Sequence, residues 1–148
     1  MAEDVRQQAM DYMDRCSVCT VATASTEGQP GAATVYFKRS GLDIYFNASR
    51  DSQKVKNILA NPRVAVTMQE DAPVPHADWE ITGIQLSGTA RILTEVNSTG
   101  VPKAVTNRHN AFNRSRPGAS VIVRISPSRV YLIDYSQGLR HRDVLNLK

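Results

Sequence analysis

Apolar residues at Val5, Ala9, Tyr12, Met13 and Cys16 recur at spacings of three and four. That is the period of a helix with one buried stripe, so the N-terminal segment predicts an amphipathic helix lying across a sheet. The period then falls to two. Val18 to Ala24 is small and β-branched, Ser25-Thr26-Glu27-Gly28-Gln29-Pro30 carries turn chemistry, and Ala32 to Phe37 resumes strand character, which predicts a hairpin. A second turn, Lys38-Arg39-Ser40-Gly41, leads into Leu42 to Asn47, with Leu42, Ile44 and Phe46 on one face and Asp43, Tyr45 and Asn47 on the other. The pattern predicts three consecutive antiparallel strands.

Val55, Ile58 and Leu59 then form a short helical stripe. Asp51 or Ser52 is placed to cap its start, and Asn61-Pro62 stops it because proline disfavours helix in the residue before it. A strand from Val64 to Met68 follows, then a polar loop through Asp71, Pro73, Pro75 and His76, then a long strand-like run from Trp79 to Leu93. Gly83 and Gly88 interrupt that run and predict a bulge or a sharp bend. A helix is expected from about Ser98 to Phe112. Val121 to Ile125 and Arg129 to Asp134 read as two strands joined at Ser126-Pro127-Ser128, and the tail from Ser136 reads as basic and polar. Many short strands with a few helices between them predict a mainly β, α+β domain spanning 1–148, a small barrel with helical decoration.

The 148 residues fit one core, and no run approaches the roughly 20 apolar residues that cross a bilayer. The start is polar and acidic rather than basic then apolar, so a cytoplasmic protein is expected. Net charge is +4, unevenly spread: eight Lys or Arg lie between Lys103 and Arg142 with one acid, Asp134. Such a surface prefers anionic partners, but Phe112, Tyr131 and Tyr135 lack the interleaved spacing of a nucleic-acid groove, and a phosphorylated small molecule satisfies the same charge. Cys16 and Cys19 form a lone Cys-x-x-Cys. Zinc needs four ligands, and the order here is helix then strand, the reverse of a thioredoxin-like pair, so both are expected to be small buried apolar residues. A disulfide and a metal shared across a dimer remain alternatives. His76 and His109 stand in polar surroundings that predict surface rather than metal, and Trp79 would cover a ligand or fill the core.

The chemistry concentrates from Asn47 to Lys54. A strand end runs into a helix N-terminus, whose free N–H groups and dipole stabilise an anion; Ser49 and Ser52 offer hydroxyls, and Arg50 and Lys54 offer charge. No Ser-His-Asp order, Walker loop or Rossmann Gly-x-Gly-x-x-Gly is present.

The succession Ala32-Ala33-Thr34-Val35-Tyr36-Phe37, then Ile44-Tyr45-Phe46, then Ser-x-x-Ser-x-Lys and a helix closing at Asn61-Pro62 before Val64-Ala65-Val66, resembles the flavin-binding split-barrel family typified by pyridoxamine 5′-phosphate oxidase. Gln85-Leu86-Ser87-Gly88-Thr89-Ala90 is similar to that family's long strand and Pro127-Ser128-Arg129-Val130-Tyr131-Leu132 to its last. The resemblance implies a six-stranded antiparallel split barrel, dimeric, with flavin mononucleotide (FMN) in grooves between the subunits. It implies that Lys54 with Ser49 or Arg50 holds the phosphate, that Ser52 assists, that backbone at Ala33, Thr34 and Val35 lies beside the flavin ring, and that Gln85 is a further, differently spaced candidate. It also implies redox chemistry on a small molecule. The family's Arg-Leu-His-x-Arg-like ending is matched only in part by Gly138-Leu139-Arg140-His141-Arg142, which leaves vitamin oxidation unsupported. A deazaflavin or haem in the same groove, and a non-catalytic flavin-binding module, are the alternatives.

Overall fold

Alternation of buried and exposed residues along most strands builds one antiparallel sheet with a main apolar core, and a smaller second cluster gathers Tyr45, Leu93, Val105 and Ile122. In the computed structural model, which describes residues 2–71, 81–94 and 99–147, α1 (Ala2–Met13) precedes β1 (Val18–Ala24), β2 (Pro30–Tyr36), β3 (Lys38–Ser40) and β4 (Asp43–Ser49). Then come α2 (Gln53–Ala60), β5 (Arg63–Met68), β6 (Thr82–Leu93), α3 (Lys103–Ser115), β7 (Ser120–Asp134), a 3-10 turn (Tyr135–Gln137) and β8 (Arg142–Asn146). Spatial order is β2-β1-β5-β6-β7-β4-β3, with β8 paired to the second half of β7. The sheet curls so that β2, at one end, comes near β4, the strand next to the other end. Its concave face buries Val21, Ile44, Phe46, Ile84, Val123, Ile125 and Val130 completely, each worth about 1.5–3 kcal/mol of transfer free energy.

The β1–β2 hairpin forms as the sequence predicts, from Val18↔Tyr36 to Ala24↔Pro30. Three expectations change. Eight strands are present rather than six. The third predicted strand does not continue the hairpin: β4 pairs with β3 and β7, because its alternating apolar face extends the core past β7, and Lys38–Ser40, expected as turn, is itself a short strand. The two final predicted strands are one, β7, since Ser126-Pro127-Ser128 is absorbed as a bulge: Ser87 pairs Arg129 but Gly88 pairs Pro127. Gly88 is required there, because a Cβ would lie 2.3 Å from the Ser126 carbonyl oxygen. The basic tail returns as β8 against β7.

α1 packs its Ala9–Tyr12–Met13 stripe on β6, β7 and β8, as its period predicts. α2 packs Val55 and Ile58 beneath β1, β2 and β6. α3 starts five residues later than expected, with Pro102 at its N-cap, because a proline ring suits the helix threshold and not its interior. Val105 is the one residue of α3 that is buried. His76, Trp79 and the Ser98 helix start lie outside the described residues.

Candidate functional site

The residues expected to hold a phosphate are divided between two clefts that meet at the turn between β4 and α2. The first, about 180 Å³, lies between the β1–β2 hairpin and the start of α2 and is lined by Thr23, Gly31, Ala33, Ser52, Lys54 and Asn57, among others. Its floor is polar but satisfied: Asn57 Nδ2 donates to Thr23 Oγ1 at 3.0 Å, and Gln53 Nε2 donates to Asn57 Oδ1 at 2.9 Å. Ser52 occupies the N-cap with extended backbone, yet its hydroxyl donates to the Ser49 carbonyl at 2.7 Å instead of capping the helix. The expected side-chain cap is therefore not made. Lys54, half-buried beside it, has no carboxylate partner among the described residues.

Ser49 faces the second cleft, about 280 Å³, between α3 and the β4–β7 seam, lined also by Asn47, Phe112, Ser115, Arg116 and Ser120. Arg50 turns the same way: its backbone N–H donates to the Ala119 carbonyl at 2.8 Å and its Nε to the Gly118 carbonyl at 2.6 Å. Sequence reasoning missed this cleft, since Asn47, Phe112, Arg116 and Ser120 converge only through the β4–β7 register, in which Asn47 pairs Ile122 and Ser49 pairs Ser120.

β2 ends the sheet, so alternate backbone groups along Ala33, Thr34 and Val35 have no strand on their outer side. The Val35 side chain is in the core against Cys19, so only its backbone is available to a ligand. Thr34 is on the convex face, in a row that runs Thr34, Thr20, Thr67, Gln85, Tyr131 across five strands. Gln85 is three strand spacings from Thr34, about 14 Å, and lies outside both clefts of its own chain.

Cys16 and Cys19 are free and buried, and burial pushes their thiols up to about 11 and 12, consistent with inert apolar packing. No cluster of three or more metal-ligating side chains occurs among the described residues. In the tail, Arg140 has positive φ before β8, and Arg142 stacks 4.3 Å from the centre of the Tyr131 ring.

Residues 5–134 match the family model described as pyridoxamine 5′-phosphate oxidase. The chain belongs to that family. Among curated proteins, general stress protein 26 of Bacillus subtilis (strain 168) is 30% identical over 69 residues, which are 47% of this chain and 49% of that protein, so the match spans about half of each. Two solved structures show the same fold. A haem-binding protein from Mycobacterium smegmatis has a TM-score of 0.73 at 19% identity, covering 95% of this chain and 57% of that one. A FAD-binding protein from Mesorhizobium loti has a TM-score of 0.65 at 18% identity, covering 84% and 88%. The pyridoxamine 5′-phosphate oxidase family thus supplies the split-barrel fold here, and no helix among the described residues is long and apolar enough to cross a membrane.

Proposed function

We propose that this protein binds FMN, with the phosphate at the start of α2 against Ser52 and Lys54, and acts as an oxidoreductase on a small molecule. One observation carries the reading: a half-buried lysine without a carboxylate partner among the described residues stands beside a helix N-terminus that no side chain caps. Both features favour a dianion, the first by charge-assisted hydrogen bonding and the second by free N–H donors and the helix dipole. Ser49 and Arg50 bound the same turn from the other side. The free edge of β2 at Ala33, Thr34 and Val35 offers backbone groups to a flat heterocycle, and Gln85 on the convex face is available to a partner subunit.

A homodimer fits this reading on size. The α2 cleft of about 180 Å³ is below the 300–1,000 Å³ typical of cofactor sites, so a ring extending from it needs a second wall. The convex face beside it is uncharged over Ala32, Thr34, Thr20, Ala22, Ala65 and Thr67, a surface a second copy can cover. When bound, the cofactor supplies hydride or electron transfer, while this chain positions it and limits water. The second cleft, sharing the Ser49 turn, is the side on which the small-molecule partner is expected.

The absorption spectrum of the protein as isolated, followed by titration with FMN and with haemin, tests the proposal and separates flavin, deazaflavin and haem. The expected result is a flavin spectrum, saturable FMN binding and a dimer by light scattering. Colourless protein that ignores FMN and remains a monomer refutes it.

A further inference from the structure

Four buried side-chain atoms among the described residues lack a hydrogen-bond partner, and three of them, Asn47 Oδ1, His109 Nδ1 and Ser120 Oγ, fall in one seam between α3 and the β4–β7 pair. Buried polar groups are ordinarily paired, so three in one place mark where an external group completes them. Ser120 is only 4% exposed and lines the cleft.

The donor and acceptor roles follow from the bonds already made. Asn47 Nδ2 donates to the Val105 carbonyl at 3.1 Å, which leaves Oδ1 as an acceptor. Asn113 Oδ1 accepts from the Ser120 N–H at 2.9 Å, so its amide orientation is fixed and its Nδ2 faces His109 Nε2 at 3.2 Å as a donor. His109 Nε2 is then the acceptor, and the neutral ring carries its proton on Nδ1. Of these residues, Asn47 and Ser120 line the cleft and bring to it one acceptor and one hydroxyl. Beside it, Phe112 is 53% exposed and forms an apolar wall of the cleft.

We propose that the cleft under α3 binds a planar aromatic carboxamide, of which nicotinamide is the simplest biological example. The carboxamide NH₂ donates to Asn47 Oδ1, its carbonyl accepts from Ser120 Oγ, and the ring lies against Phe112. A carboxylate in the same place would set its lone pairs against those of Asn47. Arg116, in the lining, meets any anionic substituent beyond the ring. Asn113 is a positioning residue: it touches no ligand but grips Ser120 through both backbone groups and sets the His109 tautomer. The proposal rests on the functional reading only in taking this cleft as the small-molecule side.

The test uses flavin-free, isotopically labelled full-length protein, titrated by NMR with nicotinamide and with its carboxylate isostere, nicotinate. Nicotinamide is expected to shift the Ser120 amide and the Asn47 side chain saturably and to bind about tenfold tighter than nicotinate. Ser120→Ala and the more disruptive Asn47→Leu should remove that preference. Equal or tighter nicotinate binding, or shifts confined to other surfaces, overturns the proposal. An FMN titration of the same sample reports on Lys54 and so separates this outcome from failure of the flavin assignment.

Discussion

Replacing Lys54 with alanine isolates the interaction on which the flavin assignment stands. The side chain is half-buried at the start of α2 and has no ion-pair partner among the described residues. Its removal therefore breaks no internal salt bridge and leaves the helix, whose buried contacts come from Val55 and Ile58, in place. A charge-assisted hydrogen bond is worth about 1.5–3 kcal/mol, which predicts roughly a ten- to hundred-fold rise in the Kd for FMN. Quenching of flavin fluorescence measures it, with riboflavin as the internal control because it lacks the phosphate. Lys54→Ala should leave riboflavin affinity unchanged and flatten the salt dependence of FMN binding, while Lys56→Ala, exposed two residues later, should do neither. Undiminished FMN affinity in Lys54→Ala, or an equal loss for FMN and riboflavin, refutes a phosphate at this position.

Gly88→Ala should lower stability by more than about 2 kcal/mol, seen as a fall in Tm of several degrees, because its Cβ would sit 2.3 Å from the Ser126 carbonyl oxygen; an unchanged Tm would mean the bulge is not needed. The Asp14 carboxyl is held below the usual carboxylate range by its hydrogen bonds to Arg39, at 2.8 Å and 2.7 Å. A folded pKa below the unfolded one gives stability that is complete above about pH 4 and lost as pH falls through the lower folded value, so urea midpoints of Asp14→Asn and the parent should differ at neutral pH and converge in acid. Cys16 and Cys19, with thiols pushed up to about 11 and 12, should resist a thiol reagent at pH 8 until denaturant is added; rapid labelling of the native protein would show that at least one is reachable.

Legibility in the sequence followed the range of the interaction that decides each feature. The hairpin of β1 and β2, the stripe of α1 and the stop of α2 at Asn61-Pro62 are set within a few residues, and local pattern found them. The partner of β4 is not local: nothing near Ile44 or Phe46 reveals that they pair with Ile125 and Val123. Pro127 suggested a break in a strand that a bulge instead preserves, because Gly88 opposite it has no side chain to clash. Ser52 was legible as the N-cap position but not as a side chain turned back to Ser49. The same limit hid the cleft under α3, since Asn47, Arg116 and Ser120 become neighbours only when β7 is laid against β4.

The turn from Ser49 to Ser52 joins the two clefts mechanically as well as spatially. On one side the Ser52 hydroxyl and N–H both donate to the Ser49 carbonyl and leave the start of α2 uncapped. On the other, Arg50 fastens the turn to the loop after α3 by its backbone N–H and its Nε, onto Ala119 and Gly118. Ser120, the next residue, is held by Asn113 and pairs with Ser49 across the sheet. A displacement of α3 by a molecule in its cleft would therefore reach the proposed phosphate site at the start of α2 through hydrogen bonds rather than through loose packing, and Val105 alone gives α3 little apolar anchorage with which to resist it. Two ligands bound on opposite sides of this turn would sense each other through it.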